Sequence, residues 1–362
     1  RDRSVSRGLG DVYKRQIHVL MVEREVIRRI IIEGQEFVNE ISLTERPFFF
    51  EQKGNYVFVG IRQAGKSYLL YQRIQQLLRE EHNINEIVYI NFDDERLRQM
   101  TADDLDLILQ AYHSLFDLRP LLFFDEIQNI EGWEHFARRL ANQKYNIYIT
   151  GSNAKMLSRE IATTLGGRFW NKDVYPYSFA EYLNARNIIL SKNWIYGKQA
   201  AEVSKAFNDY FLYGGFPELT DVIAKRVWLN DIYSKIFFSD LIVRNKVRNE
   251  EALGLLVRRL AENVKQPISY TRLANLISSI GIKISKATVI EFIRYLKESC
   301  LIFPIENYAA KFAERNSNMK HYFIDNGLLS IFLLDGNTSL LENIVAIHLY
   351  KRYGCLLYTS PS

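Results

Sequence analysis

Residues 60–67 read Gly60-Ile61-Arg62-Gln63-Ala64-Gly65-Lys66-Ser67, which fits the spacing G-x-x-x-x-G-K-[ST]. Tyr56-Val57-Phe58-Val59 comes directly before it as a short buried strand, and Leu69, Leu70, Ile74, Leu77 and Leu78 follow at helical spacing. Strand, loop and helix therefore arrive in the order that builds a phosphate cradle. Glycines at 60 and 65 permit backbone conformations and close approaches that a side chain would block, so successive N–H groups wrap an anion. The dipole of the following helix adds to that attraction. On this reading Gly60, Ile61, Arg62, Gln63, Ala64 and Gly65 line the phosphates of ATP. Lys66 reaches the β- and γ-phosphates, and the Ser67 hydroxyl ligates Mg²⁺.

A second stretch agrees with the first. Leu121-Leu122-Phe123-Phe124 ends in Asp125-Glu126, the pattern of a buried parallel strand that delivers acids to the carboxyl edge of a sheet. Asp125 is expected to hold Mg²⁺ through water, and Glu126 to polarise an attacking water. A water-activating acid argues against a small-molecule kinase, where the nucleophile is a substrate hydroxyl. Ile87 to Phe92 reads as another strand of this sheet, ending in Asp93-Asp94-Glu95. Ile147 to Thr150 is a fourth, and Ser152 and Asn153 at its tip are candidates to contact the γ-phosphate or the water, with Thr150 a third. Arg168 follows two glycines and precedes a strand-like Val174-Tyr175, and Arg159 lies one helix earlier. Either is a candidate finger for a neighbouring subunit's nucleotide, although a solvated surface arginine is the more common case.

The composition limits the alternatives. The 362 residues are 48% hydrophobic and 13% aromatic, which excludes disordered, collagenous and disulfide-scaffold classes. No apolar run reaches the length of a membrane span, no signal-peptide pattern opens the chain, and a cytoplasmic location without membrane contact is expected. Two cysteines and six scattered histidines point to no resident metal centre. Residues 6–16 and 355–362 resemble translations of the two strands of a sequencing-library adapter, so 1–16 and 355–362 are set aside as artefactual tails, with Met21 as a natural start. Residues 1–16 hold five basic and two acidic residues, so leaving them out lowers the net charge by three, from +5 to +2.

Several stretches together resemble a known family: GIRQAGKSYLL (60–70), YINFDDERL (89–97), LLFFDEIQNIEGWE (121–134), YITGSNAKMLSREIATTLGGR (148–168), YPYSFAEYL (175–183), YGGFPE (213–218) and LLENIVAIHL (340–349). They are similar to predicted prokaryotic P-loop ATPases of the AAA+ type that carry a C-terminal domain of unknown function. The resemblance implies a three-layer α/β P-loop NTPase domain (17–185), then a helical linker region (186–250), a winged helix (251–310) and a truncated, nuclease-like α/β domain (311–354). Within the implied winged helix, Tyr270 to Ser278 and Ser285 to Leu296 read as helices around a turn near Gly281, with Ser285 as an N-cap. Lys283, Lys286, Arg294 and Lys297 form a basic face diluted by Glu291 and Glu298, compatible with DNA or with protein.

In the nuclease-like segment the resemblance places metal-binding acids beyond Gly354, so Asp325 and Glu342 are expected to cap or pack. Truncation is expected to leave Leu340, Leu341, Ile344, Val345 and Ile347 exposed. The aromatic stretch Tyr210 to Pro217 reads as a packing corner rather than a base pocket or hinge, and Lys235 to Arg248 as a solvated mixed-charge helix face. The function read from these residues is Mg²⁺-dependent ATP hydrolysis used as a conformational switch or motor on a macromolecular partner, with DNA through the winged helix, a protein and a homo-oligomer as candidate associations. Two alternatives stand beside it: a non-catalytic nucleotide-dependent regulator, and the ATPase half of a nucleic-acid effector or nuclease.

Overall fold

A computed structural model describes residues 23–51, 53–157, 159–305, 319–334 and 336–353; the expected tails and Met21 lie outside the described residues. The chain divides into two compact units, one of residues 1–59, 66–151 and 155–172, the other of 60–65, 152–154 and 173–362.

The first unit is built on strands β1 (Asn55–Val59), β2 (Ile87–Asn91), β3 (Leu121–Asp125), β4 (Asn146–Gly151) and β5 (Phe169–Asp173), in the sheet order β2-β3-β4-β1-β5. The pairs β2-β3, β3-β4 and β4-β1 are parallel. Every residue of β3 is buried, and so are the last four of β1, which means that both faces of the sheet are covered. Central strands of this kind read as unbroken apolar runs rather than as alternation. The cover comes from α1 (Arg24–Glu40), α2 (Lys66–Arg79) and α4 (Trp133–Asn142), while α3 (Asp106–His113) packs on α1 and α5 (Arg159–Leu165) packs on α4. Helix α1 buries Ile27, Ile30, Ile31 and Val38, and its Gln35 amide donates to the Ile87 carbonyl at 2.8 Å.

Three neighbouring strands each contribute one ring to an aromatic stack. Tyr148 lies 5.8 Å from Tyr56 and 4.7 Å from Phe123, with the ring planes nearly parallel. The register dictates this, because Tyr148 faces Tyr56 on one side and Phe123 on the other. Arg73 is buried beside the stack, and its guanidinium donates to the Tyr148 hydroxyl at 3.3 Å and to Glu80 at 3.1 Å. A charge can be buried there because it is paired and hydrogen-bonded.

The second unit contains α6 (Phe179–Ala185), α7 (Gln199–Tyr213), α8 (Lys225–Lys235), a π-helical segment (Ile236–Val243), α9 (Glu250–Glu262), α10 (Tyr270–Ser278) and α11 (Lys286–Glu298). An antiparallel pair β6 (Ile302–Ile305) and β7 (Lys320–Phe323) follows, then α12 (Asn326–Ser330) and α13 (Asn337–Tyr353). Ser285 caps α11 by accepting from the Thr288 N–H. Gly214 and Gly215 form a packing corner. The Tyr177 N–H donates to the Gly215 carbonyl at 2.7 Å, and the Tyr210 hydroxyl donates to the Tyr177 carbonyl at 2.9 Å. Asp325 caps α12 through the Gly327 N–H and also accepts from the Gly215 N–H, both at 2.8 Å. Gly214 has φ +80°, and a Cβ there would run into the Asp325 carboxylate.

Two expectations need correction. The last strand is Phe169–Asp173 rather than Val174-Tyr175: Pro176 has no N–H for a ladder, and the Tyr177 N–H is already given to Gly215. The apolar residues of α13 are not uniformly exposed either. Leu340 and Ile347 are buried and only Leu341 and Val345 are open, because α13 turns one face inward around Asn343. The Asn343 side chain accepts from the Phe323 N–H at 2.9 Å and donates to the Phe323 carbonyl at 3.1 Å. Glu342 receives Lys320 and the Tyr322 hydroxyl, each at 2.9 Å. No helix among the described residues is long and apolar enough to cross a membrane.

Burial raises the Asp325 carboxyl from its ordinary 3.8 to about 6, with backbone N–H bonds from Gly215, Gly327 and Leu328 and the Lys351 charge pulling the other way. The folded chain therefore binds this proton more tightly than the unfolded chain, and the stability it contributes is fullest below pH 3.8 and lost as the pH rises to about 6. Urea denaturation across that range should show stability falling more steeply with rising pH in wild type than in Asp325→Asn.

Candidate functional site

The loop after β1 owes its shape to local backbone geometry. Gln63 and Gly65 have φ of +61° and +90°, the left-handed region that turns successive N–H groups to one side. Gly60 answers a different need, since a Cβ there would run into the Val174 carbonyl. Helix α2 begins at Lys66, so Lys66 and Ser67 occupy its first turn.

Within the first unit, Lys66, Ser67, Asp125 and Glu126 come together. Lys66 is buried, and its Nζ lies 3.5 Å from Glu126 Oε1. Asp125 is buried at the end of β3 and is bonded by the hydroxyls of Ser67, Thr150 and Tyr89. Thr150 reaches Oδ1, while Tyr89 donates to Oδ2 at 2.9 Å. Burial raises the Asp125 carboxyl above its ordinary value and the adjacent Glu126 charge adds to the rise, whereas the three hydroxyl bonds lower it. Glu126 has φ +52° and ψ +39°, a left-handed conformation for a residue with a side chain. That conformation turns the chain out of β3 into a 3₁₀ turn at Ile127–Asn129, and the Gln128 amide reaches back to the Glu126 carboxylate.

Thr150 works differently from the sequence expectation. Its Oγ1 accepts the Glu126 N–H at 3.0 Å, so its single proton goes to Asp125. It braces both acids. Gln128 and Tyr89 were not expected at all. Gln128 lies two residues after Glu126, and the only sign of it was that proximity. Gly151 makes space for it, since a Cβ there would strike the Gln128 amide and the Met156 sulfur.

Ser152 is buried and Asn153 half-buried in the short segment that leaves β4. Arg168 is exposed, and its guanidinium donates to the Gly166 carbonyl at 3.1 Å. The side chain of Arg159 lies outside the described residues.

Within the second unit, Arg62 of the loop forms a fork with Asp240 of the π-helical segment, at 3.1 and 3.0 Å, and Arg244 joins the same carboxylate at 2.9 Å. Asp240 is buried, contrary to a solvated helix face. A lone acid within Ile236-Phe237-Phe238-Ser239-Asp240-Leu241-Ile242-Val243 was the available signal.

The Asp125 carboxylate and the neighbouring Ser67 hydroxyl are the oxygen donors that suit a hard divalent cation carried in with phosphates. Among the described residues no three His, Cys, Asp or Glu side chains form a metal-holding group of their own.

Residues 52–183 match a family model described as AAA domain, and residues 204–339 match one described as Domain of unknown function (DUF8612). The chain is 32% identical over 339 residues to Uncharacterized protein MJ1544 of Methanocaldococcus jannaschii, spanning 92% of this chain and 75% of that protein. It is 31% identical over 304 residues to an uncharacterized protein of Haemophilus influenzae, spanning 82% of this chain and 74% of that one. The chain belongs to the family of these proteins, with an AAA domain in its first half. A solved Walker-type ATPase of Pyrococcus abyssi, paby2304, overlays 86% of this chain and 96% of its own length, with a TM-score of 0.48 and 14% identity. In the AAA domain of this family member, the parallel sheet and the G-x-x-x-x-G-K-[ST] loop occur together with paired acids at the end of β3.

Thr150→Val keeps the shape of the side chain but leaves the Glu126 N–H without its acceptor and Asp125 short of one donor. Urea denaturation should show a loss of about 2–4 kcal/mol, while Thr150→Ser stays close to wild type.

Proposed function

We propose that this chain binds ATP with Mg²⁺ and hydrolyses it slowly, using turnover as a conformational switch or motor on a macromolecular partner. The observation that carries this reading is the convergence of Lys66, Ser67, Asp125 and Glu126 in one unit. Lys66 supplies a positive charge for the β- and γ-phosphates, and the loop N–H groups bind the phosphate oxygens. Ser67 and Asp125 hold Mg²⁺, which neutralises charge on the phosphates when bound. Glu126 polarises the attacking water, and Ser152 or Asn153 senses the γ-phosphate. Arg168, exposed and tied only loosely to its own loop, is assigned to a neighbouring copy's nucleotide.

For the second half we propose a helical region to residue 250, a winged helix over 251–310 and an α/β segment over 311–354. The order α10, α11, β6 supports the winged helix. Arg294 lies 3.9 Å from Glu291 and 4.0 Å from Glu298, so the basic face of α11 is partly neutralised. That charge balance supports a protein partner at least as well as a DNA backbone, whose binding depends on unpaired cations.

Lys66→Ala should abolish nucleotide binding in isothermal titration calorimetry, and retained micromolar affinity would sink the assignment. Glu126→Gln should bind ATP but lose turnover in a phosphate-release assay; undiminished turnover would remove Glu126 from its role. Turnover that rises along a titration of double-stranded DNA would give the winged helix its ligand, and a flat response would favour a protein partner.

A further inference from the structure

Asp125 sits where water scarcely reaches, and each of its oxygens is engaged by a hydroxyl from a different neighbour. One donor, Tyr89, has no part in phosphate chemistry. It stands on β2, two residues before Asn91, and Asn91 pairs in register with Asp125. Side chains two apart on a strand share a face, so the pairing that places Asn91 beside Asp125 also sets Tyr89 alongside β3, and its hydroxyl meets Asp125 Oδ2 at 2.9 Å. Behind it, the Tyr71 and Tyr89 hydroxyls are 2.9 Å apart. A phenol has one proton. Because Tyr89 gives its proton to Asp125, Tyr71 must donate to Tyr89, and the chain of bonds runs in one direction: Tyr71 to Tyr89 to Asp125. Tyr71 lies four residues after Ser67 on α2, so the helix that carries one proposed metal ligand also carries the start of the relay to the other.

We propose that Tyr89, backed by Tyr71, is a positioning residue that fixes the orientation of the Asp125 carboxylate for a phosphate-bound divalent cation. This rests on the reading above that Ser67 and Asp125 hold that cation. A carboxylate held by only Thr150 and Ser67 could swing about its Cβ–Cγ bond, and a donor on Oδ2 removes that freedom. Hydroxyl donors in series also strengthen one another, so Tyr71 makes Tyr89 the better donor. Both rings are buried, and burial raises both phenols well above their ordinary value, Tyr71 to about 12, so both keep their protons at neutral pH.

The test uses the full chain with Mn²⁺ as probe. Mn²⁺ binding is followed by electron paramagnetic resonance in the presence of ATP, and ATP binding is measured separately in EDTA. Wild type should bind Mn²⁺ in an ATP-dependent manner. Tyr89→Phe should lose about tenfold in Mn²⁺ affinity. Tyr71→Phe should lose less, about two- to threefold. ATP affinity in EDTA should match wild type in both variants, which separates orientation of the acid from general damage to the fold. Unchanged Mn²⁺ affinity in Tyr89→Phe would overturn the inference and leave the nucleotide reading standing, as would an equal loss of metal-free ATP binding. Wild type that binds ATP no differently with and without the metal would overturn both.

Discussion

The edge of the sheet depends on holding one carboxylate in place where almost no water reaches it. Asp125 ends a strand that must be wholly apolar to lie between two covered faces, so the same burial that makes β3 a good strand disfavours charge at its tip. Glu126 beside it makes the problem worse. Relief comes from hydroxyls on β2, on β4 and on the first turn of α2, three elements far apart in the chain. The register between strands and the start of the helix are therefore conditions for the acid to be usable, beyond being features of the scaffold. Thr150 ties the two acids into one unit, since a single hydroxyl accepts from the Glu126 backbone and donates to Asp125.

The second unit solves a similar problem in another way. Asp325 is as deeply buried as Asp125, but its partners are backbone N–H groups of Gly215 and Gly327. Backbone donors in a fixed corner point at one place only, which suits a structural cap. Hydroxyl donors can rotate and have lone pairs of their own, which suits an acid proposed to share its neighbours with a cation. Asp240 is a third case, with charge met by charge. Arg62 forks onto it and Arg244 adds a second guanidinium, so the buried carboxylate is met by two cations.

Much of the first unit was legible from residues alone. The strands β1 to β4 fall within a residue or two of where their apolar runs place them, because a strand buried on both faces leaves an unbroken signature. Strand β5 left a weaker one. Phe169-Trp170-Asn171-Lys172-Asp173 is mostly polar and open, while the more apolar Val174-Tyr175 next to it looks more like a strand and is not one. Lys66, Ser67, Asp125 and Glu126 were legible as a group because a loop, a helix start and a strand end each carry their own local pattern. Tyr89, Gln128 and Asp240 were not, because a tyrosine in a buried strand, a glutamine in a turn and an acid in a helix are ordinary residues until their neighbours are known.

The succession of strand, loop and helix, and the chemistry of the residues at their junctions, are written locally along the chain. Those follow from relations between residues close in the chain: apolar periodicity, glycine where φ is positive, and acids at a strand end. The tertiary structure alone decided which polar groups serve one another. Arg62 and Asp240 are 178 residues apart, Gly215 and Asp325 are 110 apart, and Tyr89 and Asp125 are 36 apart. No local pattern encodes such pairs. They exist because burying the apolar faces of sheet and helices leaves a few polar side chains without water, and each is then satisfied by whatever donor or charge the packing has brought beside it.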